Sequence, residues 1–178
     1  SPIAKNTSHL LAKGKYLINL DCDNFTGING GDVILDLFKK YGDNYVIHQS
    51  SNKFGSGTMG RICMTKENFI KIGGYNQSLL PMSHQDGDII NRAQFNNIKY
   101  INFKDEKYNK TIINSKIESL KNCYGNYNYN KMMKINMVYS NFLFQSNEKK
   151  ANYYFKTPQL GVLINLYRVF KNENIKIK

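Results

Sequence analysis

The sequence predicts an α/β fold, and three observations carry that expectation. Short apolar runs of strand character (residues 16–20, 45–48, 61–64 and 100–103) alternate with segments of helical periodicity. The first run ends in Asp21-Cys22-Asp23-Asn24, polar residues where an α/β sheet gathers its ligands. Glycine-containing turns at Gly14, Gly42 and Gly73-Gly74 separate the segments. With 178 residues, 41% of them apolar and 13% aromatic, the chain can bury a core, which excludes wholesale disorder.

Taken in order, residues 3–13 read as a helix stopped by Gly14 just past the C-cap. Residues 16–20 (YLINL) are mostly apolar, as in a strand buried on both faces. After residues 27–31, Val33, Ile34, Leu37, Phe38 and Tyr41 fall on one helical stripe. Gly42-Asp43-Asn44 is a turn leading to a strand at 45–48, and the Ser- and Gly-rich stretch 50–60 is a loop. A strand at 61–64 precedes Thr65, the N-cap of a helix running to Ile72. Gly73-Gly74-Tyr75-Asn76 ends that helix, and an irregular loop continues to His84. Ser83-x-x-Asp86 fits a capping box opening a helix with Ile89, Ile90, Ala93 and Phe95 inward. Residues 100–103 form a strand, 111–123 and 131–145 are helical, and 124–130 is a loop. The basic, aromatic stretch from 146 onward carries no assignable element, and no fixed-period repeat exists.

Composition excludes several classes. No apolar stretch approaches the roughly 18–20 residues that span a bilayer, and no apolar core of a signal peptide lies near the start. Three cysteines (Cys22, Cys63, Cys123) stand far apart without CxxC spacing, which argues against a disulfide scaffold or structural zinc and for a reducing, cytoplasmic setting. The net charge is +12, from 25 basic and 13 acidic residues. The only arginines are Arg61, Arg92 and Arg168. The lysines accompany abundant Asn, Ile and Tyr, all encoded by A/T-rich codons. Since bidentate nucleic-acid readout favours arginine, no specific nucleic-acid partner is expected.

Asp21 and Asp23, two apart at a strand end, would project the same way, with Cys22 opposite as a small buried thiol. Such a pair suits Mg²⁺ or Mn²⁺, hard cations that take oxygen ligands and bridge to phosphates. A polar turn closing a strand explains the pair as well.

Two longer stretches resemble the signatures of GT-A glycosyltransferases. AKNTSHLLAKGKYLINLDCDNF, from Ala4 to Phe25, is similar to that family's helix, Ala-x-Gly turn, strand and Asp-x-Asp. GRICMTKENFIKIGGYNQSLLPMSHQDGDIINRA, from Gly60 to Ala93, resembles its second signature: Gly-Arg before a strand, Glu and Phe in a helix, Gly-Gly-Tyr, then a Glu-Asp-x-Asp-Leu…Arg helix. The likeness spans about residues 3–103 and is nearest to family-2 and galactosyltransferase types, including small viral capsid-glycosylating enzymes. It implies a three-layer α/β/α GT-A fold with a mixed sheet. Residues 1–105 would be its catalytic portion, and 106–178 a helical extension packed on the same domain.

The resemblance further implies a metal-dependent, inverting transfer of a sugar from a nucleotide diphosphate, UDP-sugar foremost, to a hydroxyl of a glycan or protein. The location would be the cytoplasm, that of the host if the protein is viral. Asp23 would ligate Mn²⁺ or Mg²⁺ directly, and Asp21 would contact the ribose or metal-bound water. Asp86 would be the general base, although a capping role with Ser83 accounts for it too. Lys5 and Asn6 match the basic-Asn pair on the donor side; a solvated surface lysine is the alternative for Lys5. Arg61 would pair with Asp21 or Asp23, or form a structural ion pair. Gly74, Tyr75 and Gln85 would line the acceptor side, with Tyr75 stacking on a sugar; a helix C-cap also explains the glycines. Asp88 would orient its helix sooner than act as a second base; His48 and His84 carry no assigned role, although His84 lies beside the base, within reach of the acceptor.

Three departures stand out. Gln85 replaces the usual Glu. No late His ligand follows the helix, so the metal would hold more water or lean on Asn102 or Asp105. The family's leading nucleotide-binding segment, roughly 60–70 residues or two βα units, is expected to be missing. A rival reading is therefore a non-catalytic remnant that binds sugar nucleotide or glycan.

Overall fold

The computed structural model describes residues 2–51, 57–104, 111–112, 115–121 and 128–145. Its elements are α1 (Pro2–Leu11), β1 (Tyr16–Ile18), α2 (Gly30–Tyr41), β2 (Tyr45–His48), a 3₁₀ turn (Thr58–Gly60), β3 (Ile62–Thr65), α3 (Lys66–Lys71), α4 (Gln85–Phe95), β4 (Lys99–Asn102), α5 (Lys116–Lys121) and α6 (Tyr129–Gln145). The four strands form one mixed sheet in the order β1-β3-β2-β4. β3 runs antiparallel to β1 and β2, while β2 and β4 are parallel.

Period-two alternation divides the sheet between two cores. Leu17, Val46, Ile62 and Met64 face α3 and α4 through Phe69, Ile72, Ile89 and Ala93, with Leu10 of α1 packed alongside. Ile47 and Cys63 face the other way, onto Ile34 and Phe38 of α2. The fold is thus α/β with helices on both sheet faces. Each fully buried aliphatic or aromatic side chain stabilises it by about 1.5–3 kcal/mol, far more than helix propensity supplies. The stripe expected on α2 is the one buried: Ile34 and Phe38 are covered, with Val33, Leu37 and Tyr41 partly so. A third cluster joins Leu80 to Leu120 of α5 and Met132 of α6, so the described part of 106–178 packs on the same body.

Several expectations are corrected. β1 is three residues long and lies at a sheet edge, so Ile18 and Leu20 are exposed and the strand is not buried on both faces. It ends before Asp21, so Asp21 to Asn24 form a turn, and Cys22 is exposed instead of buried. Thr111 makes a β-bridge with Asn24 and is not helical. Tyr129 and Asn130 belong to α6 and not to a loop. Phe95 is partly exposed, set edge-on to Phe144. Cys123, Asp105 and the stretch from 146 lie outside the described residues.

Candidate functional site

Because β1, β2 and β4 run the same way and β3 runs against them, three carboxyl ends and the start of β3 meet at one end of the sheet. The Asp21–Asn24 turn sits there, shaped by side-chain amides. Asn19 Nδ2 donates to the Gly60 carbonyl (2.6 Å) and to Asp21 Oδ1 (3.4 Å). Asn24 N–H closes the turn on the Asp21 carbonyl at 2.9 Å. Gly60 permits the arrangement: a Cβ there would collide with the Asp21 carboxylate.

Asp23 is reached through a relay. Arg61 Nε donates to Asn24 Oδ1 (2.6 Å), and Asn24 Nδ2 donates to Asp23 Oδ1 (2.7 Å). Arg61 is 1% exposed. Burial lowers its pKa, with Asp23 and Asp21 pulling the other way, but guanidinium stays charged at any ordinary pH. The buried cation feels both carboxylates and reaches Asp23 through Asn24, so the orienting role expected of Arg61 is compatible with its placement.

Lys5, on α1, joins the Asp21–Asn24 turn to α4. Its Nζ lies 2.9 Å from Asp86 Oδ1, 3.8 Å from Asp21 Oδ1 and 4.9 Å from the centre of the Tyr75 ring. Burial alone would lower the Lys5 pKa, but Asp86 and Asp21 outweigh it and hold the ammonium above its ordinary value. Lys5 is no free surface lysine. The capping box also gives way. The N-cap of α4 is His84, and neither its side chain nor that of Ser83 caps the helix, because both residues adopt left-handed backbone (φ 60° and 72°). Asp86, in the first turn, therefore pairs with Lys5 instead of completing a cap.

A cavity of about 350 Å³ opens among Lys5, Asp21, Asp23, Gln85 and Asp86, with Pro81, Met82 and Ser83 as further lining. A second, of about 470 Å³, continues from Lys5 and Asp21 along α1 and β1.

Other expected site residues serve the fold. Asn6 is buried and grips the Tyr75 backbone twice: Oδ1 accepts its N–H and Nδ2 donates to its carbonyl, both at 2.8 Å. Gly73 and Gly74 (φ 77° and 67°) end α3, their N–H groups bonded to the Ile70 and Phe69 carbonyls. Tyr75 is 1% exposed and packs against His9 and Phe69, so its ring offers no face for a sugar. Its hydroxyl finds no partner among the described residues, and burial, reinforced by Asp86 and Asp21, keeps the phenol protonated. Gln85 lines the cavity, yet its Nε2 donates to the Leu80 carbonyl at 2.9 Å. Asp88, fully buried, pairs with Arg92 at 2.7 Å and accepts from Ser140 at 2.7 Å, which ties α4 to α6. Asn102 Oδ1 accepts the Ser50 N–H, so that oxygen already has a partner.

Three residues escaped the sequence reading: Asn19, Asn24 and Asn136. Each acts through its amide on backbone or on a carboxylate, and asparagine is too abundant in this chain for one to stand out. The Asp-Cys-Asp-Asn run was the single available signal for Asn24.

Among the described residues no group of three or more His, Cys, Asp or Glu side chains is placed to hold an ion. Asp21 and Asp23 do line one cavity with carboxylate oxygens, and Asp21 is nearly half exposed. Two oxygen donors with room for water fit a hard cation that also takes diphosphate oxygens, and fit zinc or copper poorly. Compared with known proteins, the chain matches no family model, no curated protein and no solved structure. No helix among the described residues is long and apolar enough to cross a membrane.

Proposed function

We propose that this chain is the catalytic portion of a glycosyltransferase of GT-A architecture. It moves a sugar from a nucleotide diphosphate, UDP-sugar foremost, to a hydroxyl of a glycan or protein, with inversion. The observation that carries this reading is the convergence of Lys5, Asp21, Asp23 and Asp86 on one cavity, although Lys5 and Asp86 stand 81 residues apart. The Asp-x-Asp turn at the carboxyl end of β1 in a mixed sheet suits it. Free Cys22 and Cys63 suit action in the cytoplasm.

Asp21 and Asp23 would hold Mn²⁺ or Mg²⁺, which when bound neutralises charge on the leaving diphosphate. Arg61 and Asn24 keep Asp23 oriented. Lys5 occupies Oδ1 of Asp86, leaving Oδ2 to take the acceptor proton. As that proton transfers, the acceptor oxygen bonds to the anomeric carbon from the face opposite the leaving group. The bond to the phosphate oxygen breaks, and its electron pair leaves with the diphosphate. A base on the acceptor side makes this one displacement, hence inversion.

The test is Asp86→Asn in the full-length protein. Transfer should fall about 10²–10⁴-fold. Binding of UDP with Mn²⁺ should persist, and losing the largely buried ion pair, with Lys5 still 3.8 Å from Asp21, should cost on the order of 1–3 kcal/mol. Transfer within about threefold of wild type would remove Asp86 as the base, since loss of a general base typically costs about 10²–10⁴-fold. The alternative, a binding remnant without turnover, is favoured by one observation: Asn6, Tyr75 and Gln85 are all engaged by the fold. Nucleotide binding without transfer by the wild-type protein would select it.

A further inference from the structure

One side chain of α6 spends all its hydrogen bonds on a different segment. Asn136 is 1% exposed. Its Oδ1 accepts the Leu80 N–H at 2.8 Å, and its Nδ2 lies 3.2, 3.0 and 2.9 Å from the carbonyls of Leu80, Met82 and Ser83. An irregular loop has no ladder of its own, so buried backbone groups there depend on such a partner. This loop supplies Pro81, Met82 and Ser83 to the cavity and runs into the left-handed Ser83–His84 pair from which α4, and with it Asp86, begins. Non-glycine residues in that conformation persist only where the surroundings fix them.

We propose that Asn136 is a positioning residue: through it, α6 sets the wall of the cavity at residues 80–83 and the point from which Asp86 projects. That this wall receives the acceptor rests on the glycosyltransferase reading; that Asn136 shapes it does not.

The test compares Asn136→Ala and Asn136→Asp with Ser140→Ala, which removes a buried α6 hydrogen bond, to Asp88, without touching the loop. Amide hydrogen exchange and transfer kinetics are read together. Asn136→Ala should speed exchange at Leu80 about tenfold or more, because its N–H loses its acceptor. It should raise the acceptor KM about tenfold while leaving the donor KM unchanged. If that variant does not fold, Asn136→Asp decides. It keeps the shape and the Leu80 acceptor but sets an oxygen against the Met82 and Ser83 carbonyls, so exchange at 83–84 and acceptor KM should rise together. Ser140→Ala should lower the melting temperature and move neither readout. Unchanged exchange in both Asn136 variants overturns the proposal, as does a Ser140→Ala variant that reproduces their pattern, or a donor KM that rises in step with the acceptor's. A wild-type protein without transfer counts against the glycosyltransferase reading alone. Exchange then decides by itself, faster exchange supporting the positioning role and unchanged exchange refuting it.

Discussion

Gly60 and Asp21 form a contact in which the absence of one methyl group places a carboxylate. The backbone of Gly60 is not left-handed, so alanine is sterically allowed there except for the Asp21 side chain, whose free end can swing away. Gly60→Ala should therefore cost little stability, about 1 kcal/mol or less. It should nonetheless shrink the rise in melting temperature that Mn²⁺ and UDP produce in the wild type; an unaltered rise would show that Asp21 need not sit there. A second residue-scale expectation concerns His48. Its Nε2 donates to the Met59 carbonyl at 2.9 Å, so its Nδ1 accepts from the Tyr100 hydroxyl at 3.0 Å, an arrangement of the neutral ring. Burial lowers its pKa below the ordinary value of 6.5. The unfolded chain then binds a proton that the folded chain refuses. Stability is complete above about pH 6.5 and declines as pH falls toward the folded value, by at most about 1.4 kcal/mol per pH unit for one proton. Urea unfolding between pH 7 and 5 should show this slope together with those of His9 and His84, which burial also lowers, and His48→Gln should reduce the total. At this scale the sequence made carboxylates and lysine legible by type and position: Asp21, Asp23, Asp86 and Lys5 do line one cavity. It could not tell that Asn6 and Tyr75 face inward, because burial of a polar or aromatic side chain is a tertiary fact with no local signature.

Helix starts show where local chemistry is decisive and where it yields. Thr65 caps α3 as its position suggested, its hydroxyl accepting the Asn68 N–H at 3.1 Å. Thr65→Ala should cost about 1 kcal/mol and Thr65→Ser much less, read as a difference in urea midpoint. Equal losses for both would point to the methyl's packing instead of the cap. At α4 the same kind of motif misleads. Asn136 reaches across from α6 to fix Ser83 and the residues before it, and a long-range contact of that kind overrides a local cap. Strand limits follow similar logic. β2 has the bounds read from sequence, with a glycine turn before it and both neighbours paired. β1 is shorter than its apolar run because Leu20 lies past the point where Asn19 turns the chain onto Gly60.

Across the whole molecule, a net charge of +12 invites polyanions. Binding to DNA should be weak and fade steeply with salt, as counterion release requires. Sub-micromolar, sequence-selective binding at about 150 mM salt would instead place nucleic acid among the true partners. Metal and nucleotide should act differently, raising the melting temperature by binding the native state alone. Asp23→Ala should abolish that rise, and a mutant shift equal to wild type would dismiss Asp23 as a ligand. The α/β class was legible in alternation alone, since period-two and helical patterns survive without knowledge of contacts. The part played by α6 was not, because nothing in residues 131–145 marks which loop their amides will reach.

The ion pair between Lys5 and Asp86 also bears on how the protein is born. At about 5–20 residues per second, a ribosome adds the 81 residues from Asn6 through Asp86 in roughly 4–16 s. Through most of that interval α1 is synthesised while its partners, Tyr75 for Asn6 and, last, Asp86 for Lys5, do not yet exist. A ten-residue helix is marginal in water by itself. Helix α1 therefore waits for the middle of the chain, and the Lys5–Asp86 pair that completes the cluster forms only once α4 has been made.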